Sequence, residues 1–281
     1  MPPALETIVG YVASGTGSTT YDNLTFTPPQ STTVRAYQNG FAYLQDVWAA
    51  TSAASWLLSI KSPRMHDDVL GMQFAVGAYT NTGSTVIFNP QTMLPGLQSQ
   101  PLYSTDTLVV SANAATGTNK FVGVFNIRYD DLPGIASRLF TWDQIRGQIA
   151  NYVGVEVQPA ASGTVGHFGT GVALNSVTTR LKANKDYALL GYSTTIPVSA
   201  ILVSGTDTGN LFIGGPGLPN TNDTGNFFVD NAIKYQSGQI PVINSLNQGS
   251  TFVYCLDITA STAPNVVLHF AELTQLMGTP A

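Results

Sequence analysis

Short runs in which apolar residues alternate with polar ones, each bounded by Gly, Pro, Asn or Ser, recur along the whole 281-residue chain. This two-residue period is that of a half-buried β-strand, and the runs are rich in Val, Ile, Thr, Tyr and Phe, which suit a pleated surface. The pattern predicts strands over Thr85–Phe88, Thr107–Ala112, Lys120–Tyr129, Tyr187–Tyr192, Val198–Ser204, Phe227–Asp230, Thr251–Ile258 and Asn265–Glu272. Helix is scarce. Thr141 followed by Gln144 has capping-box spacing and predicts a helix through Ile145 and Ile149 towards Tyr152. A second short helical turn is expected within Trp48–Ser55.

The runs also repeat as a set. Val9-Gly10-Tyr11-Val12 resembles Val153-Gly154-Val155-Glu156 at an offset of 144, and Ser55–Ser59 resembles Ala200–Ser204 at 145. Thr33-Val34-Arg35 with Phe41–Leu44 resembles Thr178-Thr179-Arg180 with Tyr187–Leu190. Pro101–Ser104 pairs with Pro241–Asn244, and Ile127–Leu132 with Leu268–Leu273. Collinear matches of this kind point to a duplicated chain, with one β module over 1–132, a structured connector over 133–151 and a second module over 152–281. Two long excursions, Lys61–Gln100 and Gly205–Ile240, fall at equivalent places in the halves.

Composition narrows the function. Hydrophobic residues make up 43% of the chain, too many for a disordered one, whereas charged residues make up only 10%. The net charge of -5, with 11 Lys and Arg scattered singly, leaves no basic stripe to neutralise phosphates, so sequence-specific nucleic-acid binding is not expected. Cys255, alone in its type, reads as a small buried hydrophobe in a strand. Met1–Gly10 has no basic region before an apolar run, so no secretory signal is expected, and the glycosylation patterns at Asn23 and Asn222 read as idle. Tyr187–Gly205, broken by Pro197 and several hydroxyl residues, reads as two strands rather than a membrane span.

Catalytic and metal-binding patterns are not found. His66, His167 and His269 share no spacing that could place two imidazoles on one metal, which argues against a bicupin. Asp207-Thr208-Gly209 and Asp223-Thr224-Gly225 spell an aspartic-protease tripeptide, but they lie 16 residues apart in one excursion and each is followed by Asn. They read as Asx turns, with Gly supplying positive φ. Asp67-Asp68 and Asp130-Asp131 are the paired carboxylates with oxygen ligands for a structural cation, and a solvated loop face is the simpler reading of each. No phosphate loop, nucleophile elbow or dinucleotide fingerprint occurs. No catalytic, cofactor-binding or metal-binding residue is therefore assigned.

Tandem β modules of about 140 residues, a short helical connector and long excursions at equivalent places resemble the double jelly-roll major capsid proteins of the adenovirus and tailless membrane-containing phage lineage. The resemblance is carried by Tyr187–Tyr192, Gly209–Gly217 and Pro241–Asn244. It implies an all-β fold of two tandem eight-stranded antiparallel jelly rolls and a homotrimeric, pseudo-hexagonal capsomer with upright barrels and outward loops. It also implies partners among copies of itself and minor capsid and vertex proteins, synthesis in the host cytoplasm and residence in the virion. An internal membrane is left open. Low charge suits such tiling, since like-charge repulsion between closely placed copies is small. A carbohydrate-binding β-sandwich using Trp48, Trp56 or Trp142 as sugar platforms stays open as an alternative, with a bicupin-type or glycosidase-type enzyme behind it.

Overall fold

The computed structural model describes residues 3–15, 20–26, 30–51, 56–65, 71–76, 100–114, 120–164, 166–176, 181–196, 198–217, 224–235, 239–256 and 263–278. The first half contains β1 (Ala4–Val12), β2 (Asp22–Asn23), β3 (Thr25–Phe26), β4 (Ala42–Thr51), β5 (Trp56–Lys61), β6 (Met72–Val76), β7 (Gln100–Leu102), β8 (Val109–Ala114) and β9 (Phe121–Tyr129). After β10 (Leu139–Phe140) and helix α1 (Trp142–Arg146) come β11 (Ile149–Val157), β12 (Val172–Ala173), β13 (Asp186–Thr194), β14 (Val198–Ser204) and β15 (Ile213–Gly217). Helix α2 (Phe227–Tyr235), β16 (Ile240–Asn244), β17 (Phe252–Leu256) and β18 (Val266–Leu273) complete the described elements.

Four antiparallel sheets result. The first half forms β3-β1-β9-β4-β7, here the β1 sheet, and β2-β8-β5-β6, the β5 sheet. The second forms β10-β16-β13-β18-β11, the β11 sheet, and β12-β17-β14-β15, the β14 sheet. With β3 and β10 set aside, each half has eight strands in one and the same order. The sixth, third, eighth and first strands make one sheet, and the second, seventh, fourth and fifth make the other. This is jelly-roll order, so the fold is two tandem eight-stranded jelly rolls, as the sequence leads one to expect.

Register makes the repeat more exact than the sequence comparison does. Val12 pairs with Phe121 at the end of β1, and Val157 pairs with Val266 at the end of β11, so the outer strands correspond at an offset of 145. The offsets of 144 and 141 expected for these strands are therefore corrected. The difference has physical content, because a one-residue slip moves every side chain to the other face of the sheet. Val12 faces its barrel's core, whereas Glu156, its partner at offset 144, is exposed.

Three secondary-structure expectations are overturned. The capping box is present, with Gln144 N donating to Thr141 Oγ1 and Thr141 N donating to Gln144 Oε1, but α1 stops at Arg146. Ile149–Val157 is claimed instead by strand pairing with β18 at eight of its nine residues, with a bulge at Ala150. Trp48–Thr51 is the end of β4, held extended by its ladder to β9, and 52–55 lie outside the described residues. Phe227–Asp230 opens a helix in which Phe227, Phe228, Asn231 and Ala232 are buried and Asp230, Ile233 and Lys234 are not. The four-residue window was too short to separate that helical period from a strand. The Thr85–Phe88 strand and the Thr178-Thr179-Arg180 match lie outside the described residues.

The excursion Gly205–Ile240 holds both α2 and the edge strand β15. Its Gly-Gly-Pro-Gly run reads as turn chemistry, yet the glycines serve close approach. A Cβ on Gly214 would come within 1.9 Å of Ile201 O on β14.

Each barrel has its own core. Trp56, Leu58, Ile60, Phe121, Phe125 and Tyr129 are buried in the first, and Tyr187, Tyr192, Phe228 and Phe270 in the second. Trp56 is 1% exposed and its ring lies 5.2 Å from that of Phe121. Trp56→Ala is expected to lower unfolding free energy by about 3–5 kcal/mol, the combined transfer and cavity effect. Urea denaturation followed by circular dichroism checks this, and a loss under about 1 kcal/mol would contradict the placement of Trp56.

Candidate functional site

The residues with the most unusual surroundings lie where the barrels meet. Ala4, Ile8 and Val12 of β1 face the first core, while Leu5, Thr7, Val9 and Tyr11 point the other way. On the same outer side, Val122 and Val124 of β9 join Val9 in a buried cluster with Ala200 and Leu202 of β14 and Leu256 of β17. The outer face of the β1 sheet is thus covered by the outer face of the β14 sheet.

Polar groups fix the register of this seam. Thr7 N donates to Phe212 O at 2.7 Å, and Gly214 N donates to Thr7 Oγ1 at 2.9 Å. Thr7 Oγ1 in turn donates to Asn126 Oδ1 at 2.6 Å. Aromatic rings border the contact, with Tyr11 5.6 Å from His167, Trp48 6.0 Å from Phe227 and Phe168 stacked on Phe212 at 5.3 Å.

Asp46 is buried beside this row. Its Oδ1 accepts from Trp48 Nε1 at 2.9 Å and through a short bond from Asn126 Nδ2, and its Oδ2 accepts from Gln45 Nε2 at 3.4 Å. Removal from water pushes the Asp46 carboxyl up to about 6, against the opposing pull of those donors and of the Lys234 charge. Tyr192 is held well above the usual phenol range, first by burial and then by the neighbouring Asp46 charge. The Tyr192 hydroxyl is buried with no hydrogen-bond partner among the described residues.

A second polar centre ties the connector to the second barrel. Arg138 makes ion pairs with Asp186 at 2.7 Å and Asp207 at 3.5 Å, and donates to the carbonyls of Val242 and Met277. Asp207 also accepts from Asn244 N at 2.9 Å and Asn247 Nδ2 at 3.1 Å. The Asx turn expected at Asp207 is therefore corrected, because its carboxylate reaches across the barrel end to these partners. Gly209 does take the expected positive φ, 65°. Asp223 lies outside the described residues.

The other residues singled out in the sequence are dispersed. His66, Asp67, Asp68 and Asn222 lie outside the described residues. Asp130 pairs with Arg128 at 2.9 Å, and Asp131 Oδ1 is buried without a hydrogen-bond partner among the described residues. No group of three or more metal-ligating side chains occurs among the described residues. His269 Nε2 lies 3.1 Å from Ser193 Oγ, and burial lowers the imidazole's pKa. Cys255 is buried in β17. Trp56 is interior, Trp48 packs partly buried against the second barrel's core, and Trp142, also partly buried there, lines a surface hollow with Ala232 and Ile233.

The counterpart of the covered face is open. In the seam, Val9, Val124 and Trp48 form one row across the β1 sheet. In the corresponding row of the β11 sheet, Gly154, His269 and Gly191 stand instead. At Gly154 the missing side chain opens onto a hollow of about 510 Å³, lined by Tyr152, Gly154, Leu190, Asn226 and His269 among others, whereas at Gly191 the carbonyls of Thr224 and Gly225 fill the space. Tyr152 at its edge is 71% exposed. On the other barrel, part of the outer face of the β5 sheet is open, with Leu57 41% exposed beside exposed Gln73 and Ala75, whereas Ser59 and Asn113 on the same face are buried.

No protein-family model matches the sequence, and no curated protein matches it. Among solved structures, the chain is similar to the crystal structure of the STIV MCP, at 9% identity and a TM-score of 0.21, over 97% of this chain and 96% of that one. It is also similar to the atomic structure of Sulfolobus Turreted Icosahedral Virus, at 10% identity and a TM-score of 0.16, over 97% and 90% of the two chains. At such TM-scores neither likeness bears on the fold or the function, and the fold rests on strand order alone.

Asp46 gives the seam a pH dependence. Its folded pKa lies above the unfolded value of 3.8, so the folded state holds the proton more tightly. The resulting stabilisation is complete below about pH 4 and is lost as pH rises through about 6. Asp46→Asn is expected to raise stability at pH 7.5 by up to about 3 kcal/mol and to change it little at pH 4. Denaturant titrations of both proteins at the two pH values check this, and a gain equal at both would remove ionisation as the cause.

Proposed function

We propose that the chain is the major capsid protein of an icosahedral virus, built on the double jelly-roll plan and assembling as a trimer into a six-barrel capsomer. In this reading 1–132 and 152–281 are the two barrel units and 133–151 is the connector between them. The observation that carries it is the pairing of one covered sheet face with one equivalent face left partly uncovered. Within the chain, the β14 sheet covers the β1 sheet. The second barrel repeats the first yet, among the described residues, leaves its β11 sheet uncovered around Gly154 and His269, and on the first barrel's β5 sheet Leu57, Gln73 and Ala75 are exposed. Each chain thus has a donor face at one end and an acceptor face at the other, a heterologous arrangement that closes into a ring when the rotation permits.

The partners that follow are further copies of the chain, then the minor capsid and vertex proteins that such a shell needs, with residence in the virion. The excursions Lys61–Gln100 and Gly205–Ile240 join equivalent strands, so in barrels standing side by side they emerge at one end, which would be the outer surface. Nothing in this role calls for catalysis or a cofactor.

Size-exclusion chromatography with light scattering tests the reading. The expected result is a species of three times 29.7 kDa, or a larger closed shell, at micromolar concentration. Each subunit contact should bury more than about 1,000 Å². A protein that stays monomeric at high concentration overturns the capsid reading, and a monomer that also binds a glycan array supports the carbohydrate-binding alternative.

A further inference from the structure

We infer that the contact between neighbouring copies is a second version of the intrachain seam, in which Leu57 of one copy enters the hollow over Gly154 and His269 of the next. The inference rests on the assembly reading above and names the surfaces that would build it. The argument is one of equivalence. Leu202, the seam residue of β14, is buried with Val9 and Val124. At the offset of 145 that aligns the barrels, Leu57 of β5 corresponds to Leu202, Gly154 to Val9 and His269 to Val124. Neighbours agree in direction, since Trp56 and Leu58 face the first core as Ile201 and Val203 face the second. Leu57 therefore points outward from the same place on the first barrel from which Leu202 covers the β1 sheet.

The two versions of the contact are complementary in different ways. Inside the chain, the receiving row carries Val9, Val124 and Trp48 and fits flush against Ala200 and Leu202. Between chains, the receiving row carries Gly154 in place of Val9, and the floor is recessed there, while the carbonyls of Thr224 and Gly225 fill the space beside Gly191. An exposed leucine is suited to that recess. The size relation also inverts one strand away. In the seam, Thr7 meets the backbone of Gly214, whereas the equivalent pair between copies is the large, exposed Tyr152 against Ala75. Charge does not oppose the approach, because Leu57, Ala75 and Gln73 present no ionic group to Glu156 and His269. A second copy with matched knob and recess would also favour head-to-tail contact over contact between identical faces, since the hollow exists on one barrel only among the described residues.

Cross-linking on the full chain tests this. In the Leu57→Cys/Gly154→Cys double variant, a short bismaleimide should give covalent dimers and trimers, and neither single variant should. Gly154 accepts the added Cβ, whose nearest neighbour is Val267 Cγ1 at 3.3 Å, and Cys255 is buried, so the native thiol does not compete. In parallel, Leu57→Asp should weaken trimerisation by at least about 30-fold, as expected for a central hot spot, with the circular-dichroism spectrum of the subunit unchanged because Leu57 lies outside the core. Cross-linking of Leu57→Cys alone would mean an isologous contact and overturn the inference. A wild-type trimer that neither cross-links nor responds to Leu57→Asp would overturn the face pairing and leave the assembly reading standing. A monomeric wild type would remove both.

Discussion

Both faces of the β1 sheet are kept from water, and the rest of the molecule is arranged around that requirement. A sheet with one dry face can end a domain, but a sheet with two must be covered twice. The first barrel's own β5 sheet covers one side and the second barrel's β14 sheet covers the other. The strands carrying the burden, β1 and β9, have eight of nine residues buried. Without the second barrel the outer row would expose Leu5, Val9, Val122 and Val124 together, the kind of continuous apolar patch that soluble proteins avoid.

Polar groups in this seam set position more than strength. Thr7, Asn126 and Gly214 join strands of both barrels through hydrogen bonds whose geometry permits one register. Asp46 is the exception in that it works against stability when ionised, and a buried carboxylate held at such cost by four neighbours is an element of specificity rather than of affinity. Arg138 has a comparable role at the far end. It draws together the connector, the start of β13, the Thr206–Thr208 turn and the carbonyl of Met277, so the connector cannot swing without taking the cationic partner from two buried carboxylates.

Much of this was legible in the sequence, and the limits have physical causes. The strand period, the capping box and the buried state of Cys255 follow from local pattern, because period and cap chemistry are local, while the duplication shows in collinear matches and the jelly-roll class is what the family resemblance implies. The strand expected over Phe227–Asp230 is the start of a helix because four apolar-leaning residues do not distinguish two periods, and β15 is not legible because glycine marks close approach as readily as a turn. The candidate site was the hardest to see. Thr7, Asp46 and Asn126 lie far apart in the chain and belong to no motif, so only the folded register brings them together. Leu5–Val12, Phe121–Tyr129 and Ile149–Val157 carry two polar residues each, so the covered and the open strand read alike in sequence and only burial in the fold distinguishes them.

The covering of one barrel by the other also bears on how the chain is made. β1 is synthesised first, but the residues that dry its outer face lie near Ala200 and Leu256, some two hundred residues later. A first barrel that closes early on the ribosome waits with its outer face wet until the second barrel folds onto it. Crowded nascent chains offer that face a choice between its own second barrel and another chain's, and both fit equally well. The connector's anchorage through Arg138 acts on this choice, because it raises the local concentration of the chain's own second barrel and so steers a protein with two similar barrels away from exchange with its neighbours.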